Sequence, residues 1–136
     1  MHGKITMAAA LVLAAGAVHA DGDAKRGEKL FDECVACHAP ERGASGGVGP
    51  NLHGVIGRKA GEVAEFRYSP AMKRSGLTWN ESELDAYIAD PQKKIPANRM
   101  PYSGMPEARD RADLIAYLMN ELVKKALSTA VLEYPF

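Results

Sequence analysis

Cys34-Val35-Ala36-Cys37-His38 decides how this chain is read. Two cysteines three positions apart, with a histidine directly after the second, fall on one side of a helical turn. From there two thiols can reach neighbouring groups on the edge of one flat partner while the imidazole meets its centre. The five residues form the attachment signature for haem of c type, held covalently through Cys34 and Cys37 with His38 as an axial iron ligand. The signature uses both cysteines of the chain, leaving none for the disulfide that two cysteines in an exported protein would ordinarily form.

Upstream, residues 1–20 carry a lone Lys4, an apolar run from Met7 to Val18, and Ala20 with Val18 two positions before it. This is the layout of a secretory signal peptide cut before Asp21. The run is shorter than the roughly 20 residues a membrane-spanning helix needs, and no later run is longer, so export without membrane insertion is expected. The full chain has 136 residues with 17 basic and 17 acidic side chains. Loss of the leader removes Lys4 and no acid, leaving a slight negative excess, and nucleic acid is not an expected partner.

Downstream, Asp23 to Cys37 reads as a helix capped by Asp23, with Ala24, Gly27, Leu30, Phe31 and Cys34 at three- and four-residue steps. Pro40 to Gly61 is dense in glycine and reads as a loop wrapped around something, since a structureless stretch of that length usually has a functional reason. Asn80 with Glu83 three residues later resembles a capping box opening a helix over Glu81 to Ala89, which Pro91 ends; Gln92 to Ile95 adds a further turn. Pro96, Pro101, Gly104 and Pro106 forbid a continuous helix around Met100. A last helix is expected from Glu107 to Leu122, with Leu114, Tyr117, Leu118 and Leu122 on one face. No alternating pattern supports a sheet.

The expected fold is all-α: three to five short helices and long loops around one covalently bound haem. The expected division is leader 1–20, domain 21–125 and a tail, 126–136, left without a structural assignment. Such a thin set of helices offers little core of its own, and a large apolar cofactor fills the gap.

The nature of the second axial ligand decides the job, because an iron with both axial positions filled passes electrons but offers no site to a substrate. His53, Met72, Met100, Met105 and Met119 are the available side chains. Met119 falls within the last helix, where methionine usually packs. Met72 and Met105 fall in expected loops. Met100 lies between Pro96 and Pro101, which stiffen its loop and leave the thioether little entropy to lose, and it is the preferred ligand.

Two other readings of the signature are weaker. A thioredoxin-like redox pair opens a helix after a strand, and zinc asks for four ligands. Here the cysteines fall near a helix end, no strand precedes them, and His53 is the one further histidine after the leader.

The chain resembles the class I cytochromes c, the branch holding mitochondrial cytochrome c and its periplasmic bacterial relatives. The resemblance covers about residues 22–124. It rests on Gly27 and Phe31 ahead of the Cys34–His38 signature, on Gly49-Pro50-Asn51-Leu52-His53-Gly54 with Gly57-Arg58, on Trp79, Tyr87 and Pro96 to Met100, and on Arg111 to Leu118. It implies that Met100 is the second axial ligand and that the Pro50 carbonyl accepts the ring N–H of His38, orienting the imidazole. It implies that Tyr68 and Trp79 hydrogen-bond the haem carboxylates with Arg58 nearby, that Tyr87 approaches the Met100 sulfur, and that Gly27 and Phe31 mark the crossing of the first and last helices. His53 is not an iron ligand in this family. Two positions depart from it: Asn98 stands where relatives often have threonine, as an alternative donor to a haem carboxylate, and Met72 stands where asparagine is common.

The function implied is that of a monomeric one-electron carrier in the bacterial periplasm. Its partners would be redox proteins: a cytochrome reductase complex, an oxidase or a periplasmic dehydrogenase. Unlike the strongly basic mitochondrial relatives it is nearly neutral, so any patch formed by Lys25, Lys29, Lys59, Lys73, Lys93 and Lys94 would steer partners only weakly at long range. The rivals are a haem protein with an open iron, such as a peroxide-using enzyme or gas sensor, and an exported thiol oxidoreductase.

Overall fold

A computed structural model describes residues 22–44 and 47–132, with side chains through residue 120. The leader and residues 133–136 lie outside the described residues. The order of elements is α1 (Ala24–Leu30), a 3-10 turn (Phe31–Glu33), α2 (Pro70–Arg74), α3 (Glu81–Ala89), α4 (Pro91–Lys94) and α5 (Ala108–Leu132). Strands are absent among the described residues apart from a single antiparallel bridge between Lys59 and Thr78.

Each short helix is started by a side chain that satisfies orphan N–H groups. Asp23 accepts from the N–H groups of Lys25 and Arg26, Ser69 from Met72, Asn80 from Glu83 and Asp90 from Lys93. Pro70 and Pro91 occupy the first helical position of α2 and α4, where a missing N–H costs nothing. The Asn80 cap and the span of α3 match the sequence reading.

Three expectations need correction. The first helix does not run unbroken to Cys37: it tightens into the 3-10 turn after Leu30, then continues as single turns in which the N–H of Val35 meets the Phe31 carbonyl and that of His38 meets the Cys34 carbonyl at 2.9 Å. Met72 is not in a loop but on α2, a helix too short for periodicity to register, whose only sequence signal is Ser69-Pro70. The last helix passes Leu122 and reaches Leu132, since no glycine or proline interrupts residues 108–132; residues 126–132 are therefore helical.

The fold is organised by the packing of α1 against α5. A Cβ added at Gly27 would lie 1.9 Å from the Asp113 carbonyl oxygen and 2.9 Å from the Tyr117 Cβ, so only a residue without a side chain permits this approach. Beside it the Phe31 and Tyr117 rings sit 5.5 Å apart. A polar clamp flanks the crossing: Asp113, 3% exposed, accepts the Asp23 N–H at 2.7 Å and pairs with Arg26, whose other arm reaches Asp110. Arg111 fastens α5 to the chain before it, donating to Asp85 at 2.7 Å and to the carbonyls of Met105 and Pro106.

Gly27→Ala should lower stability by about 3 kcal/mol, the upper range for overpacking against backbone, read as a fall in the guanidinium unfolding midpoint. Burial alone would raise the Asp113 pKa, but the Asp23 N–H and the Arg26 guanidinium outweigh it and hold the carboxyl below its ordinary value. A depressed native pKa gives stability that is present above the unfolded carboxylate value and lost as pH falls through the native one. The stability of the unaltered protein should thus fall between neutral pH and about pH 3 more steeply than that of Asp113→Asn, measured by denaturant titration at each pH.

Candidate cofactor site

The helices enclose a cavity of about 600 Å³. Its wall is mostly apolar, with Phe31, Leu52, Val55, Met72, Leu84, Ile88, Leu114 and Leu118 among the lining residues. Eight of the twelve buried hydrophobic residues face this space, so the core is a shell around it. Left dry, an apolar hollow of that size would cost on the order of 10 kcal/mol, comparable to the roughly 5–15 kcal/mol total stability of an ordinary domain. The shape is that of a seat for a large apolar group.

Cys34, Cys37 and His38 all line the cavity, as the signature requires. The His38 Nδ1–H donates to the Pro50 carbonyl at 2.7 Å. A carbonyl oxygen can only accept, so the proton is on Nδ1 and the lone pair of Nε2 is left for the cavity. Burial lowers the His38 pKa and the Pro50 bond only partly offsets this, which keeps the ring neutral and able to donate to a metal. The backbone around the ring is equally specific: a Cβ on Gly49 would come within 2.5 Å of the His38 Cε1. The Gly49 N–H in turn meets the Cys37 carbonyl at 2.7 Å, tying the glycine-rich loop to the signature.

Cys34 and Cys37 are not joined in a disulfide. Burial, with the charge of Glu33 and the neighbouring Cys37, pushes the Cys34 thiol up to about 11. A thiol redox pair needs the opposite shift. Zinc fares no better, since no cluster of three or more metal-ligating His, Cys, Asp or Glu side chains exists among the described residues.

Of the candidates for a second axial ligand, Met100 and Met72 line the cavity; His53, Met105 and Met119 do not. Met105 is instead a core residue at 4% exposure. The His53 Nδ1 lies 3.3 Å from the Pro40 carbonyl, turning that ring into the loop. Met100 is braced from inside: its N–H donates to Asn98 Oδ1 at 2.8 Å, while Asn98 Nδ2 donates to the carbonyls of Pro91 and Ile95 at 2.8 and 2.9 Å. The resemblance offered Asn98 as a donor to a haem carboxylate; in this structure its amide is turned to these two carbonyls. It is buried, outside the cavity wall, and both amide hydrogens are taken; its work is on the backbone of Met100.

Arg58, Tyr68, Trp79 and Tyr87 all line the cavity. Arg58 donates to the carbonyls of His53 and Asn51 at 3.1 and 3.0 Å, with no carboxylate in contact. Burial lowers its pKa, though a guanidinium stays charged at any physiological pH. Burial raises the Tyr68 phenol, partly opposed by the nearby Arg58 charge. Trp79 and Tyr87 pack ring to ring at 5.1 Å, and burial lifts the Tyr87 phenol to about 12. The sequence reading missed Arg67 and Arg99 in the wall. No spacing rule marks an isolated arginine in a loop, and adjacency to Tyr68 and Met100 was the only clue.

A covalent signature, a neutral imidazole aimed into an apolar hollow, and a methionine from another segment define the class: an all-α protein built around a haem of c type. Comparison with known proteins agrees. The sequence model of the family described as Cytochrome c matches residues 24–121. Cytochrome c2 of Rhodoblastus acidophilus is 50% identical over 97 residues, 71% of this chain and 91% of the other. Cytochrome c2 of Rhodomicrobium vannielii is 42% identical over 118 residues, 87% of this chain and 94% of the other. Among solved structures, cytochrome cH from Methylobacterium extorquens is 46% identical with a TM-score of 0.68, over 73% of this chain and 99% of that one. The chain belongs to the cytochrome c family, whose members are electron carriers; its cofactor is haem c, and Cys34 and Cys37 are the two cysteines present for the attachment.

Gly49→Ala should displace the His38 ring, so the variant is expected to mature with less covalent haem, read as haem staining per mole of chain after denaturing electrophoresis. Pro50→Ala keeps the accepting carbonyl and should leave that ratio nearly unchanged.

Proposed function

We propose that His38 and Met100 are the two axial ligands and that the protein is a periplasmic, monomeric one-electron carrier and not an enzyme. The observation that carries this reading is the pairing of two pre-set donors in one cavity wall: His38, fixed in its tautomer by Pro50, and Met100, fixed in its backbone by Asn98. Haem held there would supply one-electron chemistry between ferrous and ferric states.

The rest of the work belongs to the chain. His38 and Met100 together leave no axial position for a substrate, and a histidine–methionine pair favours a raised potential. Phe31, Leu52, Val55, Leu84, Leu114 and Leu118 exclude water, and a dry wall needs little rearrangement when charge changes. Arg58, Tyr68 and Trp79 are the groups proposed to hold the carboxylates of the cofactor, Arg58 through its charge and the other two as hydrogen-bond donors; Tyr87 is placed in the same reading beside the Met100 sulfur.

Met72 is the competitor for the axial role because it too lines the cavity. It is held on α2, 8% exposed, with its backbone N–H bound to Ser69. Support for Met100 comes from its position in the family motif and from the stiff, bond-braced loop that carries it.

No helix among the described residues is long and apolar enough to cross a membrane. With the leader read from residues 1–20, this supports a periplasmic location. Partners are expected among cytochrome reductase complexes, oxidases and periplasmic dehydrogenases, met without strong long-range steering because the formal net charge is +0.

Met100→Ala should keep the haem attached and lower the reduction potential by on the order of 100 mV, a modest part of the ~0.8 V that axial ligands span. The same variant should lose the weak far-red absorption band of the oxidised protein and bind carbon monoxide readily when reduced. Met72→Leu should do none of these; if it does and Met100→Ala does not, the ligand assignment passes to Met72.

A further inference from the structure

Residues 99–103, the stretch that carries Met100, make no backbone–backbone hydrogen bond among the described residues. Two bonds hold the stretch. One is the N–H of Met100 to Asn98 on its buried side. The other joins it to a distant segment: the Tyr102 hydroxyl donates to Glu33 Oε2 at 2.9 Å, across 69 positions of sequence.

Glu33 is exposed, ends the 3-10 turn and directly precedes Cys34. Tyr102 follows Met100 by two residues across Pro101, and its ring packs against the core. Both side chains line the cavity, so their hydrogen bond crosses its solvent-facing rim, linking the segment that bears the cysteines to the segment that bears the methionine. The salt bridges of the fold lie elsewhere, on Arg26, Lys94 and Arg111. Nothing but this bond ties residues 99–103 to the signature segment by a polar contact among the described residues.

We infer that the Tyr102–Glu33 hydrogen bond is a rim strap, and that Tyr102 and Glu33 are positioning residues which set how often the Met100 loop opens. The inference rests on the reading of Met100 as an axial ligand. Its physical basis is cooperative bracing. Asn98 fixes the loop at one point from within, which still allows rotation about that point, while the strap fixes a second point two residues away. The acceptor is a carboxylate, and bonds to charged groups exceed neutral ones in strength. Partial exposure weakens it, which suits a contact that must open and reclose.

The test uses the mature holoprotein in its oxidised form, with Tyr102→Phe, Glu33→Ala, the double variant, and Glu33→Gln, which keeps an accepting oxygen. Tyr102→Phe retains the packed ring and cuts only the bond. Two rates are read: amide hydrogen exchange at Met100 and Met105, whose N–H groups are bonded to Asn98 and Ile88, and capture of added imidazole by the iron, followed by the change in visible absorption. Tyr102→Phe and Glu33→Ala are each expected to speed both by roughly five- to tenfold, the size of one ordinary hydrogen bond, since exposure of the Glu33 carboxylate removes most of the gain from its charge. The double variant should be no faster than either single one, since both remove the same bond, and Glu33→Gln should restore most of the slow behaviour.

Unaltered exchange and imidazole capture in Tyr102→Phe, or additive effects in the double variant, would overturn the strap while leaving the ligand assignment intact. The far-red band separates the two failures. Its absence from the unaltered protein sinks the ligand assignment and the positioning role that depends on it; its presence with unchanged loop rates sinks the strap alone.

Discussion

The hydrogen bond from His38 Nδ1 to the Pro50 carbonyl is the point on which the rest of the structure turns. It joins the signature segment to the glycine-rich loop, and it chooses which nitrogen of the ring faces the cavity. The surroundings are arranged so that it can form: Gly49 leaves room for the imidazole, and its N–H closes a second bond onto Cys37. Without that loop in place, the histidine would keep its position in the sequence and lose its orientation. Second contacts of this kind tune a metal ligand by fixing its tautomer and raising its basicity.

The cavity explains how five helices among the described residues, four of them short, make a fold. Phe31 from the 3-10 turn, Leu84 and Tyr87 from α3 and Leu114 and Leu118 from α5 are each buried, and each faces the hollow. A cofactor of this size does for these helices what a central helix or sheet does in an ordinary domain. The α1–α5 crossing is a tight helix–helix contact made possible by the missing side chain at Gly27 and secured by the Arg26–Asp113 clamp.

Much of this was legible from the residues. The signature, the Asn80 cap and the broken backbone around Met100 each state a local physical rule that the fold obeys, while the crossing at Gly27 came from the family resemblance. What escaped was non-local or too brief to have a period. Helix α2 is a single turn set by Ser69 and Pro70. The resemblance offers Asn98 as a donor to the cofactor, because it stands where relatives often have threonine. Only the fold shows the carbonyls of Pro91 and Ile95 converging on its amide, turning it inward. Residues 1–20 and 133–136 lie outside the described residues, so the leader remains a reading of composition and pattern.

One small feature has a wide effect. Lys59 and Thr78 form the sole bridge among the described residues, and around it the N–H of Gly57 meets the Trp79 carbonyl, that of Trp79 meets the Arg58 carbonyl, and that of Ala60 meets the Leu77 carbonyl, all within 2.9 Å. This short clasp fixes Arg58 and Trp79 side by side and closes the chain between them into a loop whose inner part, Phe66 to Met72, contributes to the cavity wall. Length changes in the exposed part of that loop, around Glu62 to Glu65, are absorbed beyond the clasp. An insertion or deletion at this edge of the molecule should therefore leave the arginine and the tryptophan in their places.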